Sequence, residues 1–226
     1  QMLMEFMGLH LPGSSFVPPN TPLRTALTKL VTKRALEITS LGKYFTPAYQ
    51  VLDEKAFVNG IVGLMATGGS TNLVLHLPAM AKAAGIKIEL SDFDDISSVT
   101  PLMAKIYPNG LADVNHFHAA GGLNYMIAQL LEYGYLHNDV QTIMGLGLEA
   151  YTKEPKLVDG QIEYVPSSTK SHNEKILRPV IDPFQKSGGI KKLDGNLGTC
   201  IIKISSVPMG KQTIEAPARV FESQED

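Results

Sequence analysis

The sequence predicts an α/β chain in two parts, a helix-rich portion followed by a β-rich one, with the join at Pro183–Gly189. Three observations carry this reading. Through residue 134 the apolar residues recur at helical spacing and the runs end at glycines. After about residue 152 they fall in short β-like runs separated by Asp-Gly, Gly-Asn and Pro turns. The composition, 44% apolar and 19% charged over 226 residues, is that of a globular protein able to bury one or two cores.

The elements follow in order. Met2, Leu3, Phe6, Met7 and Leu9 predict a first helix, and "LPGSSFVPPN" (11–20) is a connector. Thr21 is placed to cap a second helix with Pro22 in its first turn. Leu23, Leu27, Leu30 and Val31 would form its face, and Gly42 would stop it. Asp53 is the expected cap of a third helix, whose Phe57, Val58, Ile61, Val62 and Met65 form a buried stripe. Gly60 and Gly63 on that helix leave room for close approach by another element. A further helix should end at Gly85, then "IKIEL" (86–90) alternates like a strand, and "SDFDDI" opens a helix with its acids at the positive end. Pro101, Pro108 and Gly110 interrupt the chain before a helix over Leu123, Met126, Ile127, Leu130 and Leu131, stopped at Gly134. "KLVDGQIEYV", "GGIKKLDGNLGTCIIKISSV" and "KQTIEAPARVF" supply the β-like runs.

Charge and motifs narrow the function. A formal net charge of −2 argues against a nucleic-acid partner. No apolar run is long enough to span a bilayer and no leader is visible, so a cytoplasmic location is expected. The single cysteine, Cys200, excludes an internal disulfide framework, and "TCIIKI" suggests a buried strand with a structural thiol. The uncapped start at Gln1 and the polar end "VFESQED" suggest a piece of a longer polypeptide.

"TGGSTN" (67–72) opens a helix with two glycines and three polar residues. Helix starts carry unsatisfied N–H groups and the positive dipole end. Gly68 and Gly69 would admit a ligand to the backbone, while Ser70, Thr71 and Asn72 would add side-chain donors for a carboxylate, phosphate or sugar hydroxyl. A glycine turn capped by Ser70, with no ligand, accounts for the same residues, and spacing alone does not separate the two readings. His116 and His118 in "NHFHAAGG", read as alternate positions of an extended segment, would face one way, toward substrate or as a hydrogen-bonded structural pair. With no cysteine or acid cluster nearby, no metal is expected there. His76 reads as a satisfied core histidine, and the acids of "SDFDD" as capping groups.

"GLMATGGSTNLVLHLPAMAKAAGI", "YPNGLADVNHFHAAGG" and "LDGNLGTCIIKISSV", in this order, resemble the dihydroxyacid/6-phosphogluconate dehydratase family over essentially the whole sequence. "MEFMGLHLPGSSFVPPNTPLR", "NHFHAAGG" and "EAPARVFESQED" are similar to its phosphosugar-acid branch. The resemblance implies an α/β N-terminal-type domain over 1–184 and the start of a β-barrel-like C-terminal domain over 185–226. It also implies a homodimeric lyase that removes water from 6-phospho-D-gluconate to give 2-keto-3-deoxy-6-phosphogluconate in the Entner–Doudoroff pathway. An iron–sulfur cluster, of the 4Fe-4S type, would bind the leaving hydroxyl, with a divalent metal as a further candidate. The cluster cysteines and catalytic residues of the family have no counterpart in this sequence, and Cys200 matches no cluster position. The sequence alone is therefore expected to be inactive, with no catalytic or metal-binding residue of its own. Substrate-binding candidates are Gly68, Gly69, Ser70, Thr71, Asn72, His116 and His118. Rival readings are a sister dehydratase for dihydroxyacids or sugar acids, a non-catalytic phosphate-binding module, and a purely structural scaffold.

Overall fold

The computed structural model describes residues 1–223. Helices α1 (Met2–Phe6), α2 (Pro22–Glu37), α3 (Ala48–Val51), α4 (Glu54–Ala66), α5 (Asn72–Ala83), α6 (Leu90–Val99), α7 (Val114–Ala119) and α8 (Gly122–Glu132) come first. Six strands follow: β1 (Gln141–Thr142), β2 (Gly145–Leu146), β3 (Lys153–Val158), β4 (Gln161–Pro166), β5 (Ile190–Gly195) and β6 (Gly198–Lys203). They pair only as three antiparallel hairpins, β1–β2, β3–β4 and β5–β6. The fold is thus mixed helix and strand, and no closed barrel forms among the described residues.

Local signals set the helix ends. The Thr21 hydroxyl accepts from the Arg24 N–H at 3.2 Å, and the Asp53 carboxylate accepts from the Ala56 N–H at 2.8 Å. Gly85 (φ +79°) and Gly134 (φ +74°) take the left-handed conformation just past α5 and α8. Asp159-Gly160 turns β3 into β4, both residues at positive φ, which suits a tight hairpin.

Three expectations fail here. Residues 86–90 form no strand: no segment pairs with them, and Glu89 and Asp92 cap α6 reciprocally instead. The alternation has another use, since Ile86, Ile88 and Leu90 pack against the core beside α4 and α5. Residues 211–221 are likewise not a strand. On α2 Leu27 is buried with Leu23 and Leu30 packed beside it, but Val31 is exposed, and the helix ends at Glu37, with Gly42 in the turn that folds back toward it.

α4 is buried along most of its length and divides the interior. On one side Val62 and Ala66 join Phe6, Phe117 and the buried face of α8. On the other, Phe57, Ile61, Leu64 and Met65 pack with Leu3, Met7, Val74, Leu77 and Phe93. α1 reaches both sides because it lies against glycines: a Cβ on Gly63 would sit 2.4 Å from the Phe6 ring, and one on Gly60 3.0 Å from Met7. The loop after α1 wraps a buried acid. Glu5 is fully buried and accepts hydrogen bonds from the Gly13 N–H at 2.7 Å and the Ser15 N–H at 2.8 Å. Burial pushes its pKa above the ordinary 4.5, although the hydrogen bonds pull the other way.

Two predictions follow from this packing. Gly63→Ala should lower stability by about 1–3 kcal/mol in denaturant melts, because overpacking against Phe6 outweighs the gain in helix propensity. An unchanged or raised midpoint would show that α1 is free to shift. For Glu5, the folded state binds the proton more tightly than the unfolded chain, so its contribution declines as pH rises from 4.5 through the folded-state pKa. Glu5→Gln turns an amide NH2 toward a backbone donor and should cost about 1–3 kcal/mol. The gap between wild type and variant should narrow as pH rises; a gap that widens would contradict the burial account.

Candidate functional site

Residues 67–72 join α4 to α5 in a sharp reversal. The Thr67 hydroxyl donates back to the Gly63 carbonyl at 2.8 Å and the chain then turns at Gly68 (φ +77°) and Gly69 (φ +44°). Both glycines are pressed from several sides. A Cβ on Gly68 would lie 2.0 Å from the Asn109 amide nitrogen, and one on Gly69 2.5 Å from the Leu64 side chain and 2.7 Å from its carbonyl. These glycines are therefore required by packing and by backbone conformation, whatever else the turn does. Replacing Gly69 with a bulky residue would disturb the fold as well as any ligand site.

Ser70, Thr71 and Asn72 lie on the exposed rim. Thr71 occupies the cap position without a side-chain capping bond, while the Ser70 hydroxyl accepts only a long hydrogen bond, 3.4 Å, from the Asn72 N–H. The N–H groups of Ser70 and Thr71 have no protein acceptor among the described residues. The exposed turn thus holds backbone and hydroxyl donors at the positive end of a 12-residue helix.

Asn109 is the residue that sequence reasoning missed. Its amide donates to the Gly68 carbonyl at 3.5 Å, and its Oδ1 accepts from the hydroxyls of Ser205 at 3.1 Å and Ser206 at 2.7 Å. Gly189 closes the junction, since a Cβ there would lie 3.0 Å from Gly68 Cα and 2.6 Å from Ser205 Oγ. Its neighbour Gly188 donates its N–H to the Ser97 carbonyl at 2.7 Å. The turn before α5 is thereby clamped between residues 107–112 and the segment that carries β5 and β6. In the sequence only the glycine pairs hinted at this; the serines carry no local signal.

The histidines are not arranged as an extended segment would place them. Both lie on α7, where residues two apart point to nearly opposite sides. His116 is exposed, its Nδ1 2.8 Å from the Asp113 carboxylate, and Asp113 caps α7 through the His116 and Asn115 N–H groups. The His116 N–H, with opposing desolvation and help from the imidazole, holds the Asp113 carboxyl below its ordinary range. His118 is partly buried over Gly122, with Glu154 and Lys156 nearby, and burial lowers its pKa below 6.5. The TGGSTN turn and His116 meet only through the loop 107–112: Asn109 touches Gly68, while Gly110, Leu111 and Ala112 wall a cavity shared with His116. Two further expectations are corrected. His76 is exposed on α5 rather than in the core, and Cys200 is exposed on β6 rather than buried.

Among the described residues no group of three His, Cys, Asp or Glu side chains could hold a metal ion. With one exposed cysteine, the residues present do not fit an iron–sulfur cluster. No described helix is long and apolar enough to cross a membrane.

Two family models match the chain, the dihydroxy-acid/6-phosphogluconate dehydratase N-terminal model over residues 1–151 and the C-terminal model of the same name over residues 175–226. The chain belongs to the dihydroxy-acid/6-phosphogluconate dehydratase family. It is 56% identical to a phosphogluconate dehydratase of Rhizobium meliloti over 99% of its length, covering 37% of that protein. It is 51% identical to the phosphogluconate dehydratase of Escherichia coli K12 over 100% of its length, covering 38% of that relative. A dihydroxy-acid dehydratase of Caldanaerobacter subterraneus is 35% identical over 99% of this chain. The chain thus spans less than two-fifths of the curated relatives it matches.

Asn109→Ala should release the clamp: a loss of about 1–2 kcal/mol in stability, with faster amide exchange at residues 204–206 than elsewhere. Uniform exchange rates across the chain would show that Asn109 holds nothing together.

Proposed function

We propose that this chain is the central part of a hydro-lyase that dehydrates 6-phospho-D-gluconate to 2-keto-3-deoxy-6-phosphogluconate in the Entner–Doudoroff pathway. The observation that supports it best is the difference between relatives: phosphogluconate dehydratases match at 47–56% identity, a dihydroxy-acid dehydratase at 35%. The net reaction takes a proton from C2 and hydroxide from C3, leaving an enol that becomes the ketone. The chain's own contribution would be to bind and orient the polyhydroxy acid. Gly68 and Gly69 shape the turn, and the Ser70 and Thr71 N–H groups with the Ser70, Thr71 and Asn72 side chains meet the carboxylate end. His116 and His118 remain the proposed histidines for the far end, and His116, being exposed, is the better placed. The iron–sulfur cluster is assigned to other parts of the longer protein, and no residue of this chain is given a role in holding it.

The same reading divides the chain into an α/β domain over 1–184 and the opening of a barrel-like domain over 185–226, to which β5–β6 would contribute the first hairpin. It makes the longer protein a cytoplasmic homodimer with a small phosphorylated sugar acid as its substrate.

The test is keto-acid formation by the full-length protein, purified without oxygen, on 6-phosphogluconate and on a branched 2,3-dihydroxyacid. Turnover of the phosphosugar alone supports the assignment, whereas turnover of the dihydroxyacid alone moves it to the sister activity. Ser70→Ala and Asn72→Ala then probe the site. Both residues are exposed, so stability should change by no more than about 0.5 kcal/mol. Each variant should lose about tenfold or more in kcat/KM as a charge-assisted bond disappears. Full activity in both would remove the turn from the substrate site.

A further inference from the structure

We infer that the exposed aromatic stretch between the end of α2 and the start of α4 is a surface on which a second copy of this chain docks, the two copies being related by a two-fold axis. Tyr44, Phe45 and Tyr49 are 48%, 56% and 74% exposed, and Leu36 and Leu41 are 68% and 98% exposed. A whole aromatic residue offers roughly 150–250 Å², so the three rings alone leave about 350 Å² in water. With the two leucines the stretch shows roughly 600 Å², the upper end of what the largest patch of an ordinary monomer exposes. That approaches the ~800 Å² each partner contributes to a standard interface.

The backbone under this surface is already fixed. The Gly42 N–H donates to the Thr39 carbonyl at 2.9 Å, the Tyr44 N–H to the Glu37 carbonyl at 2.9 Å, and the Thr46 N–H to the Ile38 carbonyl at 3.0 Å. The Arg34 guanidinium lies 5.1 Å from the Tyr44 ring centroid, and its Nε donates to the Ile143 carbonyl at 2.6 Å. Val51, at the end of α3, is buried and anchors the short helix that carries Tyr49. Docking on a surface held in this way orders little backbone, so more of the buried area is realised as affinity. The residue types fit as well, because Tyr, Phe and Arg are enriched where separately folded partners meet.

The order of charges along the stretch selects the partner. Lys43 stands just before the aromatic residues, and Asp53 and Glu54 stand after them. Lys43 and Glu54 are both exposed, and neither is in a salt bridge among the described residues. A two-fold axis through the middle lays two copies of the stretch antiparallel, so the basic start of each meets the acidic end of the other. The stretch is thus complementary to itself, with Lys43 facing Glu54 of the partner subunit on both sides of an aromatic centre. That the partner is a second copy rests on the homodimer proposed above; the exposed and ordered patch does not.

The experiment measures the dimer dissociation constant of the full-length protein by sedimentation over a range of concentrations. Phe45→Ser and Tyr49→Ser should each raise it by about thirtyfold or more. Lys43→Glu and Glu54→Lys should each raise it by about tenfold at low salt, and the double reversal should restore the parent value. That rescue separates a broken contact from a misfolded variant. Ile181→Ser, at an apolar position 72% exposed elsewhere in the chain, should leave the constant unchanged. A parent that stays monomeric would remove the homodimer and this surface with it. A dimer whose constant none of the four single substitutions moves would keep the homodimer and overturn the surface. Slow amide exchange at residues 43–50 in either of those cases would assign the stretch to another part of the longer chain instead.

Discussion

The seating of α1 on α4 is the contact on which the rest of this structure depends. Phe6 lies where any side chain on residue 63 would be, and Met7 lies over Gly60. Because the two backbones approach at glycine distance, a helix of only five residues can reach both halves of the core, Phe6 on one side and Leu3 and Met7 on the other. An isolated helix of that length is not stable in water. It persists here because burying Phe6, Leu3 and Met7 contributes several kcal/mol, on the order of 2 for each side chain. The Glu5 carboxyl, turned into the loop at 13–15, then fixes where the chain goes next.

With α1 in place, α4 is buried from Ala56 to Ala66 apart from the half-buried Val58, and its C-terminal end becomes a fixed platform. The Ala66 carbonyl accepts from the Met103 N–H at 2.8 Å and the Ala104 N–H at 3.2 Å, so the extended stretch 102–106 is anchored to the helix end. That stretch in turn pairs with residues 176–185 through the Leu102 N–H to the Gln185 carbonyl and the Arg178 N–H to the Met103 carbonyl. The TGGSTN turn and the stretch 102–106 are thus both built on the end of one buried helix.

How much of this was legible in the sequence depends on whether the signal is local. Thr21, Asp53, Gly85 and Gly134 mark helix ends through bonds and φ values that involve only a few neighbouring residues, and each was readable. Gly60 and Gly63 advertised a close approach, though not which element would come. The expected strand at 86–90 fails because it needs a distant partner. The alternation at 86–90 is real, but a strand requires another strand, and here the apolar residues find a helical surface instead. His116 and His118 would share one side of an extended chain; the Asp113 cap, a local signal a few residues upstream, instead starts a helix that sets them apart. Cys200 and His76 sit in apolar surroundings along the chain yet point outward, because a hairpin and a helix each have two sides.

The glycine pair at 68–69 shows why sequence alone left two readings open. Packing fully accounts for both glycines: Asn109 and Gly189 crowd the first, and the Leu64 carbonyl crowds the second. Their presence is therefore no evidence for a ligand. What packing does not account for is the other half of the motif. Ser70, Thr71 and Asn72 are exposed, make no cap of ordinary geometry, and could be many residue types without disturbing the turn. A function for the motif must rest on those three polar residues and on the two N–H groups left without acceptors. The glycines set the shape of the turn on which the exposed Ser70, Thr71 and Asn72 are carried.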